Sequence, residues 1–486
     1  MRLVFREGGT VQKGEIAKRL GRDYGLELSE AEAWDKKCLD DLASLVLPKA
    51  WLSLDDSQDV GGESVSEVAA DDTEATDLPD GSRYLTRPAR CGGVVIGNLV
   101  GAVRLACDVV VEVLPKIGVN ADDQQDRVGL RRMWEYATDL NLRENEAAVR
   151  VEDADLPLHE WLISRFLNDV DTLLGRGIRS QYVEQEENLS TVRGRLLVSQ
   201  NLRTNVLAPH RFFCRIEEFS PDRPENRLIR SAIRRVMARS IDPDNQRRAT
   251  QLNERLQEIP PSQNVRQDFA RWRDDRLMVS YREIRSTCRW ILESRGAAPI
   301  AGEAEMFGRF VRMNDVFERY VARWMQDRLR GTDFELLEQN SGVNDGRRRK
   351  VLCTWVGKSD RTMKPDILIY SRSERDDCVA ILDAKWKRTV DKDDVTGRLS
   401  AGSDLYQMYA YAQHWLAGAP QDKLIALVYP RDTANAATEK FHFSRPNNID
   451  GYSLRFQLPS FIKGQWVEGL IADHGSTFLS QFNVPS

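Results

Sequence analysis

The sequence predicts a multidomain α+β protein: a β-rich N-terminal domain, then a helical middle region, then a C-terminal α/β domain. A chain of 486 residues is too long for one ordinary hydrophobic core, so it should divide into several domains. Its apolar periodicity changes from β-branched runs after residue 92 to helical spacing after residue 126. The last third alternates helical and strand-like segments, which is typical of a mixed sheet flanked by helices. We therefore predict domains at residues 1–120, 121–300 and 301–486.

The N-terminal domain contains an acidic segment, at about residues 53–81, which is predicted to be a mobile insert. Between Ser53 and Asp80 there are ten acidic residues and no Lys or Arg. The segment has few large apolar side chains, so folding it would bury too little surface to offset the lost backbone entropy. An ordered docking element for basic partners is the alternative. The rest of the chain has 70 basic and 65 acidic residues, a surplus that permits nucleic-acid binding.

Composition also bounds the location and the chemistry of the protein. The chain is 41% hydrophobic and 30% charged, and no run approaches the roughly 18 apolar residues of a membrane span. The N-terminus lacks the apolar core of a signal peptide, which predicts a cytoplasmic protein with no membrane contact. The seven cysteines form no Cys-x-x-Cys pair, and the five histidines show no ligand-like spacing. Buried, reduced thiols are therefore expected, and a zinc site or a disulfide framework is not.

Strands and then helices are predicted in the first two domains. Three β-branched runs, at Gly93–Gly97, Ala102–Leu105 and Val109–Ile117, indicate a small β-meander. From Asp126 to Trp290 apolar residues recur at helical spacing. This second region is therefore predicted to be mostly helical.

The C-terminal domain is predicted as a helix, a group of strands, a second helix and a last strand. In order these are a helix from about Ala304 to Arg330, strands at Phe334–Leu337, Val351–Val356, Asp366–Tyr370 and Val379–Ala384, a helix at Asp404–Leu416 and a strand at Lys423–Tyr429. The third and fourth strands are joined by a short polar turn, which predicts a hairpin.

Three polar residues converge on this hairpin: Asp366, Asp383 and Lys385. Side chains alternate along a strand, so Asp383 and Lys385 point to the same face. Folding back around the turn brings Asp366 opposite Leu382 or Asp383. Most other positions of the two strands are apolar, so the three polar groups should meet at the edge of a buried sheet. An exposed strand end with an incidental ion pair is the structural alternative.

Two carboxylates beside a lysine suit metal-assisted cleavage of a phosphodiester. Mg²⁺ prefers oxygen ligands and keeps several waters, so Asp366 and Asp383 are candidate ligands. A bound Mg²⁺ stabilises charge on the phosphate and lowers the pKa of a bound water. Lys385 would orient that water or help to deprotonate it, since a lysine in a partly desolvated site loses its proton more readily. The three residues resemble the motif of the PD-(D/E)xK nucleases, which implies a restriction-endonuclease-like domain at residues 301–486.

Three further residues are candidates for the same site. Glu318, on the long preceding helix, is expected to supply another metal-binding carboxylate, with a surface glutamate as the alternative. Gln407 and Tyr411, one turn apart on the following helix, are expected to face the site. Plain core packing is the alternative for Tyr411. The sequence has no Gly-x-x-x-x-Gly-Lys-Ser/Thr loop, so the chain is not expected to hydrolyse nucleotides by itself.

Motifs over about residues 92–429 resemble the McrC family, the nuclease subunits of modified-cytosine-dependent (McrBC-type) restriction systems. They are Val111-Glu112-Val113-Leu114-Pro115-Lys116-Ile117, Glu187-Asn188-Leu189 with Arg193-Gly194-Arg195, Glu217-Glu218-Phe219 with Asp222 and Asn226-Arg227, and Asp404-Leu405-Tyr406-Gln407 with Tyr411-Ala412. Residues 1–90, with the acidic insert, resemble the family poorly.

The resemblance implies a two-protein machine. Proteins similar to this one bind a separate hexameric McrB-like AAA+ GTPase, stimulate its hydrolysis and cut DNA when translocation is blocked. It implies partner binding by residues 1–120, DNA that contains modified cytosine as substrate, and Mg²⁺ as cofactor. A non-catalytic adaptor, which regulates an AAA+ motor and keeps the nuclease fold only as a scaffold, is the alternative. A stand-alone repair nuclease is a third reading.

Overall fold

The computed structural model describes the chain in segments that form two compact units. The segments are residues 1–47, 83–89, 92–105, 107, 109–116, 122–138, 155–273, 278–293, 308–338, 350–353, 361–373, 377–387, 402–416, 423–431, 438–443, 449–462, 465–471 and 474–482. Unit 1 comprises Met1–Leu158 and Gly296–Ser486, and unit 2 comprises His159–Arg295. Unit 1 thus joins the first and third predicted domains and also includes residues 121–158 of the second. The acidic segment at 53–81 lies outside the described residues.

The N-terminal part of unit 1 is built from short strands and three helices. In chain order these are β1 (Arg2–Arg6), β2 (Thr10–Val11), α1 (Glu15–Tyr24), α2 (Leu28–Ser44), β3 (Val46–Leu47), β4 (Arg83–Tyr84), β5 (Thr86–Pro88), β6 (Val94–Ile96), β7 (Leu99–Arg104), β8 (Val110–Leu114) and α3 (Asp123–Ala137). Strand β1 lies parallel to β8, and β8 is antiparallel to β7. Apolar side chains of these strands pack with Ile16, Leu20 and Leu42 of the first two helices in one core.

The predicted β-meander is only partly correct. All three strands form, but β6 pairs with β2 and β5 in a separate small sheet and not with β7. Its neighbours lie at residues 10–11 and 86–88, whose short runs carry little strand signal of their own. Strand pairing over such separations cannot be read from local alternation.

The middle of the chain forms unit 2. Its elements are α4 (Leu158–Arg176), β9 (Gln181–Leu189), β10 (Arg195–Leu196), α5 (Val198–Thr204), β11 (Phe212–Ser220), α6 (Pro224–Arg239), α7 (Pro243–Arg255), α8 (Val265–Ala270) and α9 (Val279–Glu293). Helices α6, α7 and α9 bury apolar faces against one another, as predicted for a helical region. The antiparallel sheet β10–β11–β9 was not predicted. Strand β9 carries few apolar residues and is largely exposed, so it lacks the alternation that marks a half-buried strand.

The C-terminal part of unit 1 holds the remaining elements. These are β12 (Gly308–Arg312), α10 (Met313–Arg328), β13 (Phe334–Glu338), β14 (Lys350–Cys353), β15 (Arg361–Met363), β16 (Ile367–Ser371), β17 (Cys378–Ala384), α11 (Gly402–Trp415), β18 (Leu424–Pro430), β19 (Glu439–Phe443), β20 (Ile449–Ile462), β21 (Gln465–Leu470) and α12 (His474–Ser480). The predicted order of helix, strands, helix and strand is found from α10 to β18, but β12, β15, β19, β20, β21 and α12 were not predicted. The protein is multidomain with mixed α and β structure, as the sequence indicated.

The predicted helix from Ala304 to Arg330 is wrong at its start. Residues 308–312 form β12, which pairs antiparallel with β7 and completes the sheet β1–β8–β7–β12. Gly101 of β7 makes this pairing possible, because a Cβ there would come within 1.9 Å of the Arg309 carbonyl oxygen. The helix begins only at Met313.

A seven-stranded mixed sheet carries the C-terminal part. Its order is β13–β16–β17–β18–β20–β19, with β21 paired to β20. Strands β17, β18 and β20 are parallel, and β18 is buried along its whole length, as expected for strands covered on both faces. Helix α11 packs its Met408 and Tyr411 onto this sheet in one apolar cluster. Helix α10 contributes Phe317, whose ring lies edge-on to that of Phe456.

Two expectations about composition can be compared with the described part of the chain. Five cysteines there are buried and free, as predicted, and the Cys38 and Cys107 sulfurs lie 3.3 Å apart. No helix among the described residues is long and apolar enough to cross a membrane.

Candidate active site

Strands β16 and β17 bring the predicted polar residues together. Ile367 pairs with Leu382 in the antiparallel ladder, which leaves Asp366 beside Asp383, as the predicted hairpin requires. The Asp366 Oδ2 accepts a hydrogen bond of 2.8 Å from the backbone N–H of Ala384. This bond ties the start of one strand to the end of the other. The two carboxylates therefore lie side by side at the same end of two neighbouring strands.

Lys385 follows the last residue of β17 and faces Asp383. Its Nζ lies 2.5 Å from Asp383 Oδ2, an ion-pair distance. Its backbone N–H donates to the Val428 carbonyl oxygen at 2.9 Å, which holds the end of β17 against β18. The Asp383 side chain is fully buried, whereas that of Lys385 is 21% exposed. The ammonium group thus lies between the buried carboxylate and the solvent.

Burial and mutual repulsion disturb the carboxylates of this site. Burial, followed by the charge of Asp383, raises the pKa of Asp366 to about 8. Burial also raises the pKa of Asp383, and Lys385 partly opposes this effect. For Glu318 on α10, burial and the charges of Asp366, Asp315 and Asp383 raise the pKa well above its ordinary value. Burial and the proximity of these carboxyl groups therefore disfavour their ionised forms.

The pKa of Lys385 departs from the sequence-based expectation. Burial acts to lower it, but the charges of Asp383 and Asp366 outweigh burial and raise the pKa above its usual range. The lysine was expected to lose its proton readily. Desolvation alone would have that effect, but two carboxylates within reach favour the ammonium form.

The Asp383 carboxylate, which pairs with Lys385 through Oδ2, shows whether the residues suit a metal. Neither oxygen receives a hydrogen bond of regular geometry from the described residues, although the side chain is fully buried. Buried carboxylate oxygens are normally satisfied, and a bound cation is one way to satisfy them. No preformed group of three or more His, Cys, Asp or Glu ligands occurs in the described segments. Two carboxylates with open positions fit Mg²⁺, which binds through one or two carboxylates and keeps waters.

The other predicted site residues lie around this centre. Glu318 is half-buried and within electrostatic reach of both aspartates, as its raised pKa shows. On α11, Gln407 Nε2 donates to the Tyr411 hydroxyl at 2.7 Å, and that hydroxyl donates to the Lys364 carbonyl at 3.3 Å. Burial, then the charges of Asp383 and Asp366, raises the pKa of Tyr411.

Two groups of contacts beside the site were not predicted. Lys387 Nζ contacts Asp404 Oδ1 at 2.7 Å, and the Tyr429 hydroxyl donates to Asp404 Oδ2 at 2.7 Å. Asp404 belongs to one of the resemblance motifs, so its presence near the site had a sequence signal, but its partners had none. The second group is a hydrogen bond of 2.5 Å from the Trp386 Nε1 to Glu7 Oε1. No local pattern marks Glu7, which lies 379 positions away.

Two other motifs that resemble the McrC family form side-chain contacts, each within its own unit. In unit 1, Glu112 forms a buried two-pronged ion pair with Arg127 of α3, with contacts of 2.8 to 3.1 Å. In unit 2, Asn188 and Asn205 exchange amide hydrogen bonds of 2.8 and 2.9 Å. Both sets join segments that are distant in sequence. Their geometry explains why these residue types occur there.

The fold and the site define a multidomain α/β protein with an acidic, lysine-containing centre at the edge of a mixed sheet. Residues 94–430 match the family model described as McrBC 5-methylcytosine restriction system component. The match spans more than half of the sequence, so the chain belongs to this family. The resemblance drawn from the motifs is confirmed at this level.

One solved structure has a similar fold over nearly the whole chain. A chain of the refined half-complex from the tetradecameric assembly of Thermococcus gammatolerans McrB AAA+ hexamers with bound McrC is 19% identical, with a TM-score of 0.65. The alignment covers 99% of this chain and 99% of that chain. A chain of the cryo-EM structure of the Thermococcus gammatolerans McrBC complex is 18% identical over 68% of this chain and 88% of that chain, with a TM-score of 0.45. No match is found among curated proteins.

Proposed function

We propose that this chain is a Mg²⁺-dependent DNA endonuclease subunit with Asp366, Asp383 and Lys385 as its catalytic residues. The observation that carries the proposal is the fully buried Asp383 carboxylate, which pairs with Lys385 Nζ through Oδ2 and whose Oδ1 receives no hydrogen bond from the described residues. A buried carboxylate with an oxygen left open is characteristic of functional sites. Membership of a restriction-system family supports the same reading. We further infer that residues 301–486 have a restriction-endonuclease-like arrangement of the PD-(D/E)xK type.

Asp366 and Asp383 are the residues that would hold the metal. When bound, Mg²⁺ supplies charge stabilisation to a phosphodiester and acidifies water at its surface. The Ala384 N–H fixes one oxygen of Asp366 and thus orients that carboxylate toward Asp383. The charges of Asp366 and Asp383 both act on Glu318. We propose Glu318 as an additional carboxylate that binds the metal directly or through a water molecule.

Lys385 acts in this proposal as a cation and not as a base. Its raised pKa keeps the ammonium charged, so it donates hydrogen bonds to a phosphate oxygen or to the attacking water. Gln407 and Tyr411 form a hydrogen-bonded pair on α11 whose hydroxyl is anchored to the backbone at Lys364. We propose that this pair orients water or phosphate beside the carboxylates.

The proposed partners are DNA that contains modified cytosine and a separate McrB-like AAA+ GTPase hexamer. The sequence contains no phosphate-binding loop of its own, so a nucleotide-driven reaction needs a second protein. The similar chain of known structure comes from an assembly described as McrB AAA+ hexamers with bound McrC. This likeness in fold is consistent with such a partner.

Reconstitution tests the proposal. The purified chain is combined with a McrB-like AAA+ GTPase, Mg²⁺ and GTP, and given DNA with or without 5-methylcytosine. Wild-type cleavage of the methylated DNA, and its loss in Asp383→Ala with partner binding retained, would support the assignment. If wild type stimulates the GTPase but cuts no DNA under any condition, the adaptor reading replaces the nuclease.

A further inference from the structure

Glu7 lies immediately after β1 and contacts Trp386, which follows β17 and adjoins Lys385. Its side chain is 2% exposed. Its Oε1 accepts hydrogen bonds from the Trp386 indole at 2.5 Å and from the Lys116 backbone N–H at 3.1 Å. Its own backbone N–H donates to the Leu114 carbonyl at 3.0 Å. Glu7 therefore links the N-terminal sheet to the residue that follows Lys385.

Trp386 is held from two directions. Its ring packs against Phe317 of α10, with ring centroids 5.4 Å apart and planes inclined by 56°. Its indole N–H donates a hydrogen bond to Glu7 Oε1, and the Trp386 side chain is 3% exposed. The ring thus has one contact surface and one directional bond, which together fix its rotation. Without Glu7, packing alone would remain.

The orientation of Trp386 bears on that of Lys385. Strand β17 ends at Ala384, so the ladder holds Lys385 only through its backbone N–H to Val428. The Lys387 N–H donates to the Lys385 carbonyl at 3.0 Å, which makes Trp386 the central residue of a tight three-residue turn. An anchored Trp386 side chain therefore restrains the backbone at Lys385. The Lys385 side chain is long and flexible, and its Nζ lies 2.5 Å from Asp383 Oδ2. Small backbone rotations there would displace the ammonium group.

The second oxygen of Glu7 argues against a purely structural bond. Oε2 is buried and receives no hydrogen bond from the described residues. A buried carboxyl oxygen without a donor costs stability, so packing alone does not account for a glutamate at this position. Residues that break a stability rule often serve a site.

We propose that Glu7 is a positioning residue for Lys385, acting through Trp386; this inference rests on the proposed nuclease function. It makes the N-terminal sheet part of the active-site scaffold. Glu7 touches neither the metal ligands nor, by this proposal, the DNA. Its loss should therefore lower kcat and leave KM for DNA unchanged.

The test compares Glu7→Ala, Glu7→Gln and Trp386→Phe in the full-length chain. Glu7→Gln keeps an acceptor oxygen and is the rescue variant. Trp386→Phe keeps an aromatic ring but removes the indole N–H donor. Asp35→Ala is the matched control, because Asp35 is a buried carboxylate in the N-terminal part that accepts two backbone N–H groups away from β17. Thermal melts of every variant define a temperature at which all are folded.

Two readouts are made at that temperature. Mass spectrometry follows the rate at which Lys385 reacts with an amine-labelling reagent in the chain alone. Labelling should be several-fold faster in Glu7→Ala and Trp386→Phe and unchanged in Glu7→Gln and Asp35→Ala. In the reconstituted complex, kcat should fall roughly tenfold to a hundredfold in the first two variants, with KM for DNA within about twofold.

The outcomes separate the inference from the proposed function. Unchanged Lys385 labelling in Glu7→Ala overturns the positioning role, whether or not the complex cuts DNA. Faster labelling with a wild-type kcat also overturns it. If labelling changes as expected but wild type never cleaves DNA, the positioning contact stands and the nuclease proposal fails.

Discussion

The backbone N–H of Ala384 donates a 2.8 Å hydrogen bond to Asp366 and so fixes this carboxylate beside Asp383. The bond joins two segments that the hairpin register brings together and leaves Asp383 without an equivalent donor among the described residues. Asp366 is thus held by a backbone N–H, whereas Asp383 pairs with the Lys385 side chain and has no backbone donor among the described residues. This asymmetry motivates the first prediction.

Asp383→Ala and Lys385→Ala should each reduce DNA cleavage by at least about a hundredfold and leave binding of the AAA+ partner intact. Removal of one group that stabilises charge in the transition state typically costs this much. Cleavage is measured with purified protein, partner, Mg²⁺ and GTP. Asp377→Ala is the control, because Asp377 lies on the same hairpin and pairs with Lys423. Full cleavage by Asp383→Ala would show that the site is elsewhere.

Glu318→Gln should stabilise the protein and impair cleavage. Burial and three neighbouring aspartates raise the pKa of Glu318, so its ionised form is disfavoured in the folded state at neutral pH. Neutralising it should increase the free energy of unfolding by about 1 kcal/mol, as measured by urea denaturation without metal. The exposed Glu217→Gln should leave stability within about 0.5 kcal/mol. A destabilised Glu318→Gln would contradict the electrostatic reading.

Stability should depend on pH through Glu7. Burial raises the pKa of Glu7 above its ordinary value of 4.5. A carboxyl whose folded pKa is raised binds its proton more tightly when folded. Its stabilising contribution is therefore complete below pH 4.5 and is lost as the pH rises through the folded pKa.

The difference in unfolding free energy between wild type and Glu7→Gln isolates this effect. Wild type should lose stability relative to the variant as the pH is raised from 4.5 toward the folded pKa, and the difference should then become constant. Denaturant titrations at several pH values measure it. A difference that does not vary with pH would mean that Glu7 titrates normally.

The chain alone should hydrolyse neither GTP nor ATP and should cut DNA poorly. The sequence has no phosphate-binding loop, and the family belongs to a multicomponent restriction system. Phosphate release by the purified chain, measured with and without DNA, checks this. Turnover that co-purifies with the chain through successive columns would disprove it.

Deletion of Ser53–Asp80 should leave the nuclease site folded and partner stimulation normal. These residues lie outside the described part of the chain, and the prediction rests on ten acidic residues with no internal counter-charge. Limited proteolysis of the free chain should cut there first. If the deletion abolishes complex formation, the segment is instead a docking element.

Local signals predicted the hairpin that brings Asp366 and Asp383 together, while the catalytic roles of Asp366, Asp383 and Lys385 stay predictions. Alternating apolar residues and a short polar turn predicted the hairpin, and the observed pairing of Ile367 with Leu382 agrees with it. Pairing across the hairpin depends on a few adjacent residues, which is why the sequence reveals it. The candidate roles of Glu318, Gln407 and Tyr411 stay predictions, although all three lie around the carboxylates.

Long-range relationships were beyond such reasoning. The contact between Glu7 and Trp386 spans 379 positions, and nothing near either residue encodes it. The pKa of Lys385 was expected to fall because burial was considered without the two carboxylates that outweigh it. The strand at 308–312 has arginine at two of its five positions and so lacks a clear strand pattern. It was therefore predicted as part of the helix that follows it.

The pairing of β12 with β7 has a consequence for biosynthesis. Three strands of this sheet are complete once Leu114 has been translated, but the fourth begins only at Gly308. At about 5–20 residues per second, the exposed edge of β7 waits on the order of ten to forty seconds for its neighbour. An unpaired edge is a template for association with other chains. The protein is therefore most prone to aggregation, and most dependent on chaperones, before residues 308–312 have emerged from the ribosome.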